Sequence, residues 1–225
     1  MDIKTAKEKI MSICGKEIGS LIAIKEIIDT YIRNRGLAGQ ILEILIGKKL
    51  DNYKLDFIDG ELKTYKSTED GEPLETICIT QLSSILDDCL KNKDFRKSAV
   101  FKKIQNVLFV SVFKKGYFLH WKYVKCVHVD LSKEEYKGFL NKLSEDYSYI
   151  VKEIEKSIKQ GKNIHTISGK NNYLQIRTKD SKNKSGNYHP IFSKTYGRYV
   201  SNKNYAFYFK KNFLIDILKN AWLFK

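Results

Sequence analysis

A short acidic segment with one lysine holds the residue types in this chain that are best suited to chemistry. Asp56 precedes the turn pair Asp59-Gly60, and Glu61 and Lys63 follow it. We predict a strand on each side of the turn. Glu61 and Lys63 then share a face and converge with Asp56 at one sheet edge. Two acids and a lysine can hold a hard divalent cation beside a water, as phosphodiester hydrolysis requires. The alternative is an exposed hairpin with ordinary surface charge.

Glu43 is a further candidate, because it lies on an otherwise apolar helix predicted for Leu37 to Ile46. One interpretation is a glutamate at the polar edge of that helix. The other is a carboxylate turned toward Asp56 and Glu61. The sequence around Glu43 leaves both open.

The positive charge is concentrated in the C-terminal part of the chain. The formal net charge is +15, from 41 basic and 26 acidic residues. From Gly161 onward there are 13 Lys/Arg and 2 Asp/Glu, so residues 1–160 carry only +4. A general abundance of lysine does not explain the near absence of acids after residue 161. The asymmetry indicates a polyanionic partner, most simply nucleic acid.

Two residues in this basic part are candidates for reading a base. The run from Tyr173 to Lys179 places Arg177 and Lys179 at the end of a strand, before a polar loop at 180–188. Arginine can contact guanine with two hydrogen bonds in the major groove. Contact with phosphate alone is the commoner role of basic residues at DNA, and it stays open here.

An aromatic and then basic run follows nearer the C-terminus. Tyr205, Phe207 and Tyr208 precede Lys210 and Lys211. The run is compatible with base contact plus backbone anchoring. It is equally compatible with the edge of a core followed by solvated lysines.

Several other classes of protein are disfavoured. The four cysteines form no CxxC pair, the four histidines show no metal-ligand spacing, and no GxxxxGK[ST], GxSxG or GxGxxG pattern occurs. The cysteines are expected to be thiols of a cytosolic protein. We expect no signal peptide at the charged N-terminus and no membrane span.

The elements that must position these residues are helices and strands of one α/β domain, which has one or two lobes. Ser132 with Glu135 forms a capping-box pattern that starts a long helix, and Gly161 ends it. The other helices are predicted at 5–13, 22–32, 37–46 and 213–224, with a short helix or loop at 83–90. Strands are predicted near 54–58, 60–65, 75–80, 106–113, 117–129 and 172–178.

Five blocks, in this order, resemble motifs of the MutH family, which comprises a mismatch-repair nicking endonuclease and related restriction enzymes that cut GATC. The blocks are Asn34–Gly47 (NRGLAGQILEILIG), Asp56-Phe57 with Gly60–Thr64 (GELKT), Gly71–Thr76 (GEPLET), Tyr173–Arg177 (YLQIR) and Phe207–Phe213 (FYFKKNF). The family usually has six residues between its Asp and Glu, whereas this chain has four. Asp59 therefore competes with Asp56 as the first acid, and the register of Phe57 favours Asp56.

The resemblance implies a PD-(D/E)xK restriction-endonuclease-like fold, with a mixed central sheet flanked by helices and two lobes around a DNA cleft. Residues 1–130 would be mainly catalytic, and 131–225 would form the basic DNA-recognition lobe. The implied cofactor is Mg²⁺, with Asp56, Glu61 and the Leu62 carbonyl as ligands. Lys63 would hold the attacking water, and Glu43 would orient water or a second ion. Lys103 resembles, more loosely, a lysine near the scissile phosphate.

The resemblance also implies the contacts with double-stranded DNA. Arg177 and Lys179 resemble residues that enter the major groove. Tyr208 resembles a tyrosine that senses methylation of the target adenine. Arg35, Lys210 and Lys211 would bind phosphates.

The resemblance, together with the site residues, predicts a cytoplasmic, Mg²⁺-dependent endonuclease that cuts at GATC. The chain is rich in Lys, Ile and Asn, which indicates an AT-rich genome. Such a genome favours a type II restriction enzyme, sensitive to adenine methylation, over a repair nickase that acts on hemimethylated GATC with a MutL-like partner. A catalytically silent DNA-binding module is the third possibility. The enzyme would act as a monomer or as a dimer formed on DNA, without a membrane.

Overall fold

The computed structural model describes residues 1–22, 36–48 and 55–220. Most of the helix predicted at 22–32, together with Asn34 and Arg35, lies outside these ranges, as does the end of the last predicted helix. The chain divides into two compact units. Unit 1 comprises Met1–Glu75, Asn106–Asp130 and Leu214–Lys225, and unit 2 comprises Thr76–Gln105 and Leu131–Phe213. In the described ranges, no helix has the length and apolar character needed to cross a membrane.

The described elements form short runs of helices and strands along the chain. The helices are α1 (Ile3–Ile13), α2 (Ile18–Leu21), α3 (Leu37–Leu45), α4 (Leu82–Lys91), α5 (Ala99–Ile104), α6 (Lys137–Lys159) and α7 (Lys211–Asn220). The strands are β1 (Glu61–Ser67), β2 (Ile77–Gln81), β3 (Asn106–Phe113), β4 (Lys122–Asp130), β5 (Leu174–Thr178), β6 (Ile191–Ser193), β7 (Arg198–Ser201) and β8 (Tyr205–Phe209). Short 3-10 turns lie at Phe95–Lys97, Phe118–His120 and Glu134–Tyr136.

Unit 1 is built on a three-stranded sheet in the order β1-β3-β4. β3 runs parallel to β1 and antiparallel to β4, so the sheet is mixed. The apolar sequence of β3 is buried along almost its whole length, as expected for a central strand. Helices α1 and α3 pack on the sheet and bury residues such as Ile10 and Ile41 in its core. The predicted α/β fold, with a mixed sheet flanked by helices, is confirmed.

The prediction of a hairpin around Asp59-Gly60 is wrong. Residues 55–59 form bends rather than a strand, and β1 pairs with β3, not with the segment before it. The Phe57 N–H donates to the Gly60 carbonyl over 2.8 Å, which closes a tight turn. The hydrogen bonds that a hairpin partner would use are made by the distant strand β3.

Gly60 lets this turn fit between α1 and β3. A Cβ at Gly60 would overlap the Asn106 carbonyl and the Ile3 side chain. The flanking Asp59 accepts a hydrogen bond from the Ile3 N–H at 2.9 Å, and the Asn106 amide donates to the Asp59 carbonyl at 2.7 Å. The start of β1 is therefore fixed by two elements that are distant in sequence.

Unit 2 contains an antiparallel sheet in the order β2-β8-β5 and a separate β6-β7 hairpin. Tyr147 of α6 stacks on Phe207 of β8 with ring centroids 6.2 Å apart, and both are buried. Asp146, also on α6, accepts the Leu174 N–H at 3.0 Å and so ties the start of β5 to the helix.

Two predictions for unit 2 need correction. α6 begins at Lys137 rather than Ser132, because Leu131 is still bonded to the Gln105 carbonyl at 2.8 Å and a 3-10 turn intervenes. Its end agrees with the prediction, since Gly161 follows with φ 71°. The sequence analysis also missed α5 and the β6-β7 hairpin, which are too short to carry a clear periodic pattern.

Candidate functional site

The acid and lysine residues singled out from the sequence meet at the start of β1. The Lys63 Nζ lies 2.7 Å from Glu61 Oε2 and 4.0 Å from Asp56 Oδ2. The Glu61 side chain is 3% exposed and that of Asp56 is 27% exposed, so the cluster has one buried and one accessible carboxylate. The predicted shared face of Glu61 and Lys63 is confirmed by their contact.

Asp56 is positioned by the strand that follows it. The Leu62 N–H donates to Asp56 Oδ2 over 2.9 Å. Burial raises the pKa of Asp56, but a hydrogen bond with the Glu61 carboxyl, the Lys63 ammonium and this N–H outweigh it, so the pKa is lowered. Two neighbouring carboxyl groups are stabilised by a shared proton or a shared cation, and the Lys63 ammonium supplies a cation here.

Glu43 joins this cluster through a lysine that the sequence analysis did not identify. The Lys48 Nζ lies 2.8 Å from Glu43 Oε2, and Lys48 is also near enough to help lower the pKa of Asp56. α3 approaches β1 closely, since a Cβ at Gly39 would lie 3.4 Å from the Thr64 hydroxyl. Glu43 follows Gly39 by one helical turn, which places it on the side of the helix that faces the strand.

Lys48 reaches this position because α3 ends abruptly. Gly47 adopts φ 78°, a left-handed conformation that commonly terminates a helix. The Lys48 N–H then donates back to the Glu43 carbonyl at 2.8 Å. Gly47, four residues after Glu43, is the one sequence signal that pointed toward this arrangement.

Asp59, the alternative to Asp56 as the first acid of the site, points toward α1. Its carboxylate accepts the N–H of Ile3, at the start of α1, and the residue is exposed. It is therefore engaged as a helix-terminus partner rather than beside Glu61.

The donor set of the cluster fits Mg²⁺. No group of three or more His, Cys, Asp or Glu within the described ranges forms a dedicated metal cage. Mg²⁺, however, is commonly held by one or two carboxylates, with waters and substrate phosphates completing the octahedron. Asp56 and Glu61 supply two such carboxylates, and Leu62 lies between Glu61 and Lys63 in β1.

Two further candidates from the sequence, Lys103 and Arg35, are not among the residues of the acid cluster described above. Lys103 is in the last turn of α5, in unit 2. Arg35 lies outside the described residues.

Unit 2 brings three further candidates, Arg177, Lys179 and Tyr208, onto one face of its antiparallel sheet. We call this the Arg177 face, and it also includes Cys78 and Gln175. Tyr208 is the cross-strand partner of Cys78 on one side and of Gln175 on the other. Paired residues of an antiparallel sheet point to the same face. The Arg177 guanidinium lies 5.7 Å from the centroid of the Tyr208 ring, within the range of a cation–π contact.

The side chains of the Arg177 face also hold one another. Arg177 Nη1 donates to Thr76 Oγ1 at 3.3 Å, and the Lys179 ammonium lies 2.9 Å from the Cys78 sulfur. Burial, with a smaller effect of Cys78, raises the pKa of Tyr208 to about 12, so its hydroxyl stays protonated at neutral pH. Cys78 was missed by the sequence analysis, because only strand register brings it to Tyr208.

Lys210 and Lys211, the two lysines predicted to bind phosphate, differ in their surroundings. The Lys210 ammonium donates to the carbonyls of Gly169 and Lys170, at 2.9 and 3.2 Å, and so helps to hold that loop. Lys211 is exposed at the start of α7.

No protein-family model and no curated protein sequence matches this chain. Among solved structures, the chain is similar to one described as a complex of the restriction endonuclease MvaI with its cognate DNA substrate. The TM-score is 0.43 and the sequence identity 14%, over 95% of this chain and 96% of that chain.

Proposed function

We propose that this protein is a Mg²⁺-dependent DNA endonuclease with a PD-(D/E)xK restriction-endonuclease-like fold. The observation that carries the proposal is the convergence of Asp56, Glu61 and Lys63 at the first residues of β1. A lysine within 4.0 Å of two acids, of which one is buried and one accessible, is suited to phosphodiester hydrolysis. The proposal favours Asp56 over Asp59 as the first acid.

In this proposal each residue of the cluster has a distinct task. Asp56, Glu61 and the Leu62 carbonyl would hold Mg²⁺, which polarises the phosphate and lowers the pKa of bound water when it is present. Lys63 orients the attacking water and offsets the negative charge that develops on the phosphate. Lys48 holds Glu43 in place and balances the charge of Asp56. Glu43 orients water.

The basic unit 2 would supply most of the DNA contacts. Arg177 and Lys179 would enter the major groove, and Tyr208 would lie against the target adenine. Lys211 would contact the DNA backbone. Lys210, assigned the same role from the sequence, instead holds the carbonyls of Gly169 and Lys170. Arg35 and Lys103 are assigned to phosphates by the sequence resemblance alone.

The proposed biological role is that of a cytoplasmic type II restriction enzyme that cuts unmethylated GATC. This finer role is supported by the five collinear sequence blocks and by the Lys-, Ile- and Asn-rich composition, which indicates an AT-rich genome. The same blocks support a second candidate, a MutH-type nickase that cuts the unmethylated strand of hemimethylated GATC with a MutL-like partner.

A cleavage assay on matched duplexes tests the proposal. Unmethylated, hemimethylated, fully methylated and scrambled GATC duplexes would be incubated with the protein in Mg²⁺ or in EDTA, with Glu61→Ala as the control. The proposal predicts cutting of both strands of unmethylated duplex in Mg²⁺ and none by Glu61→Ala. Nicking of hemimethylated duplex alone would instead support the repair role. Tight binding without cutting under any condition would show a silent DNA-binding module and overturn the proposal.

A further inference from the structure

The loop after the Arg177 face is closed at its base by one buried carboxylate. Asp180 Oδ2 accepts the N–H groups of Asn204 and His189, at 2.7 and 2.9 Å. Its Oδ1 accepts the Ser181 N–H at 2.8 Å and lies 2.7 Å from the His189 ring nitrogen Nδ1. Asp180 and His189 thus bring the two ends of residues 181–188 together, and we call these residues the basic loop.

The basic loop also has its own internal structure. The Asn183 side chain accepts the N–H groups of Ser185 and Asn187, both at 3.0 Å. The Asn183 N–H donates to the Asn187 carbonyl at 2.8 Å, and Gly186 takes the left-handed conformation that the turn requires, with φ 79°. A loop ordered in this way loses less conformational freedom when it binds a ligand.

The charge that the basic loop exposes is entirely positive. Asp180 is the only acidic residue between Gly161 and Phe213, and its side chain is 2% exposed. Burial raises the pKa of Asp180, but the hydrogen bonds that it accepts lower it to about 2, so it stays ionised and internally neutralised at neutral pH. Lys182 and Lys184 are exposed, and the Lys182 ammonium lies 5.7 Å from the Tyr188 ring.

We propose that the basic loop is a preassembled arm that binds the phosphate backbone of duplex DNA, with Asp180 as its positioning residue. The inference deepens the proposed function and rests on DNA being the substrate. The arm begins two residues after Lys179 of the Arg177 face, and Lys179 follows Thr178, the last residue of β5. Lys182 and Lys184 make the phosphate contacts, and Asp180 acts through the loop without contacting DNA.

The variant Asp180→Asn tests the role of Asp180, because a purely electrostatic role and a positioning role predict opposite changes in DNA affinity. Asp180→Asn removes a negative charge, so simple electrostatics predicts tighter DNA binding. The positioning role predicts the reverse, because an amide cannot accept the same hydrogen bonds with both of its atoms. We expect about tenfold weaker binding to duplex DNA, measured in EDTA, with the loop becoming sensitive to limited proteolysis. Glu145→Gln, an exposed charge-matched change in unit 2, should not weaken binding.

Salt dependence tests the phosphate contacts themselves. Each phosphate contact contributes about 0.9 to the slope of log Kd against log salt concentration. Lys182→Ala and Lys184→Ala should each lower the slope by about that amount. His189→Ala removes the ring contact with Asp180 but keeps the hydrogen bond from the His189 N–H. It should weaken DNA binding less than Asp180→Asn does. This graded loss of affinity would distinguish loop positioning from general unfolding.

The outcomes separate this inference from the proposed function. Unchanged affinity and slope in the two lysine variants, or tighter binding by Asp180→Asn, would overturn the arm while wild-type cleavage stood. Preference for single-stranded nucleic acid over duplex would also overturn it. Absence of any wild-type DNA binding would remove the proposed function itself.

Discussion

The acidic side chains of the two units are used in different ways. In unit 1, Asp56 and Glu61 face each other beside a lysine. In unit 2, Asp87, Asp146 and Asp180 each accept two or more backbone N–H groups. An ionised carboxylate surrounded by N–H donors is already neutralised and holds loops and strands in place. Asp56 and Glu61 instead share the Lys63 ammonium, and two carboxylates side by side can also hold a divalent cation. The difference predicts chemistry in unit 1 and positioning in unit 2.

The largest expected effect comes from the lysine of the acid cluster. Lys63→Met keeps the length of the side chain but removes the ammonium beside Glu61 and Asp56. We expect the single-turnover cleavage rate in Mg²⁺ to fall about a thousandfold with little change in DNA affinity. Lys66→Met, an exposed change on the same strand, is the matched control. Equal activity of the two variants would remove Lys63 from the mechanism.

The second effect concerns binding through the Arg177 face. Arg177→Ala should weaken affinity for cognate duplex by about 1–3 kcal/mol and relax sequence preference, if the arginine reads a base. A uniform loss across all sequences would indicate phosphate contact. Arg96→Ala, an exposed arginine on a 3-10 turn of the same unit, should leave affinity unchanged. Competition binding with cognate and scrambled duplexes measures both quantities.

The third effect concerns Lys48, which positions Glu43 in the acid cluster. Lys48→Met should lower the cleavage rate by about 10- to 100-fold, as expected for a residue that positions another, and should change the Mg²⁺ concentration needed for half-maximal rate. Lys48→Arg should restore much of the rate, because it keeps the charge beside Glu43. A loss of thermal stability without any change in metal dependence would mean that Lys48 is only structural.

The smallest effect tests the structural acids of unit 2. Asp87 accepts hydrogen bonds from the Ser193 hydroxyl and from the Lys194 and Thr195 N–H groups. Burial raises its pKa, but these bonds lower it to about 2 from 3.8. Because the folded pKa is depressed, this stabilisation is present above about pH 4 and is lost as the pH falls through about 2.

Asp87→Asn should therefore lower the unfolding free energy at neutral pH by about 1–3 kcal/mol, with cleavage per folded molecule unchanged. The difference from wild type should shrink as the pH falls from 4 toward 2, in chemical denaturation measured at each pH. A difference that is constant over this range would contradict the assignment of the shift to Asp87.

Local patterns predicted much of the fold. The bounds of β3 agree with the apolar run 106–113, and α3 and the end of α6 agree with their periodicity and terminal glycines. The prediction of a hairpin at 54–65 was wrong, because β1 pairs with β3, and the paired residues Glu61 and Val107 are 46 positions apart in the sequence. Pairing between distant segments is not encoded in local turn residues.

The candidate site was partly accessible from the sequence. Spacing on one strand was enough to place Glu61 with Lys63. Lys48, Cys78 and Asp180 were missed, because each reaches its partners through a helix end, a strand register or a loop closure. The structure also explains the short spacing between Asp56 and Glu61. The bond between Phe57 and Gly60 closes the turn tightly, and Gly60 fits where no Cβ is accommodated.

The assignment of hydrolysis to unit 1 and of positioning to unit 2 is tested most directly at Glu61. The decisive measurement is the single-turnover cleavage rate of Glu61→Gln on cognate duplex in Mg²⁺, at protein concentrations that saturate the DNA, with Kd measured in EDTA on the same preparation. The account predicts a rate below detection and a Kd within about twofold of wild type. A cleavage rate equal to that of wild type would contradict it, because the acid cluster of unit 1 would then not be the site of hydrolysis.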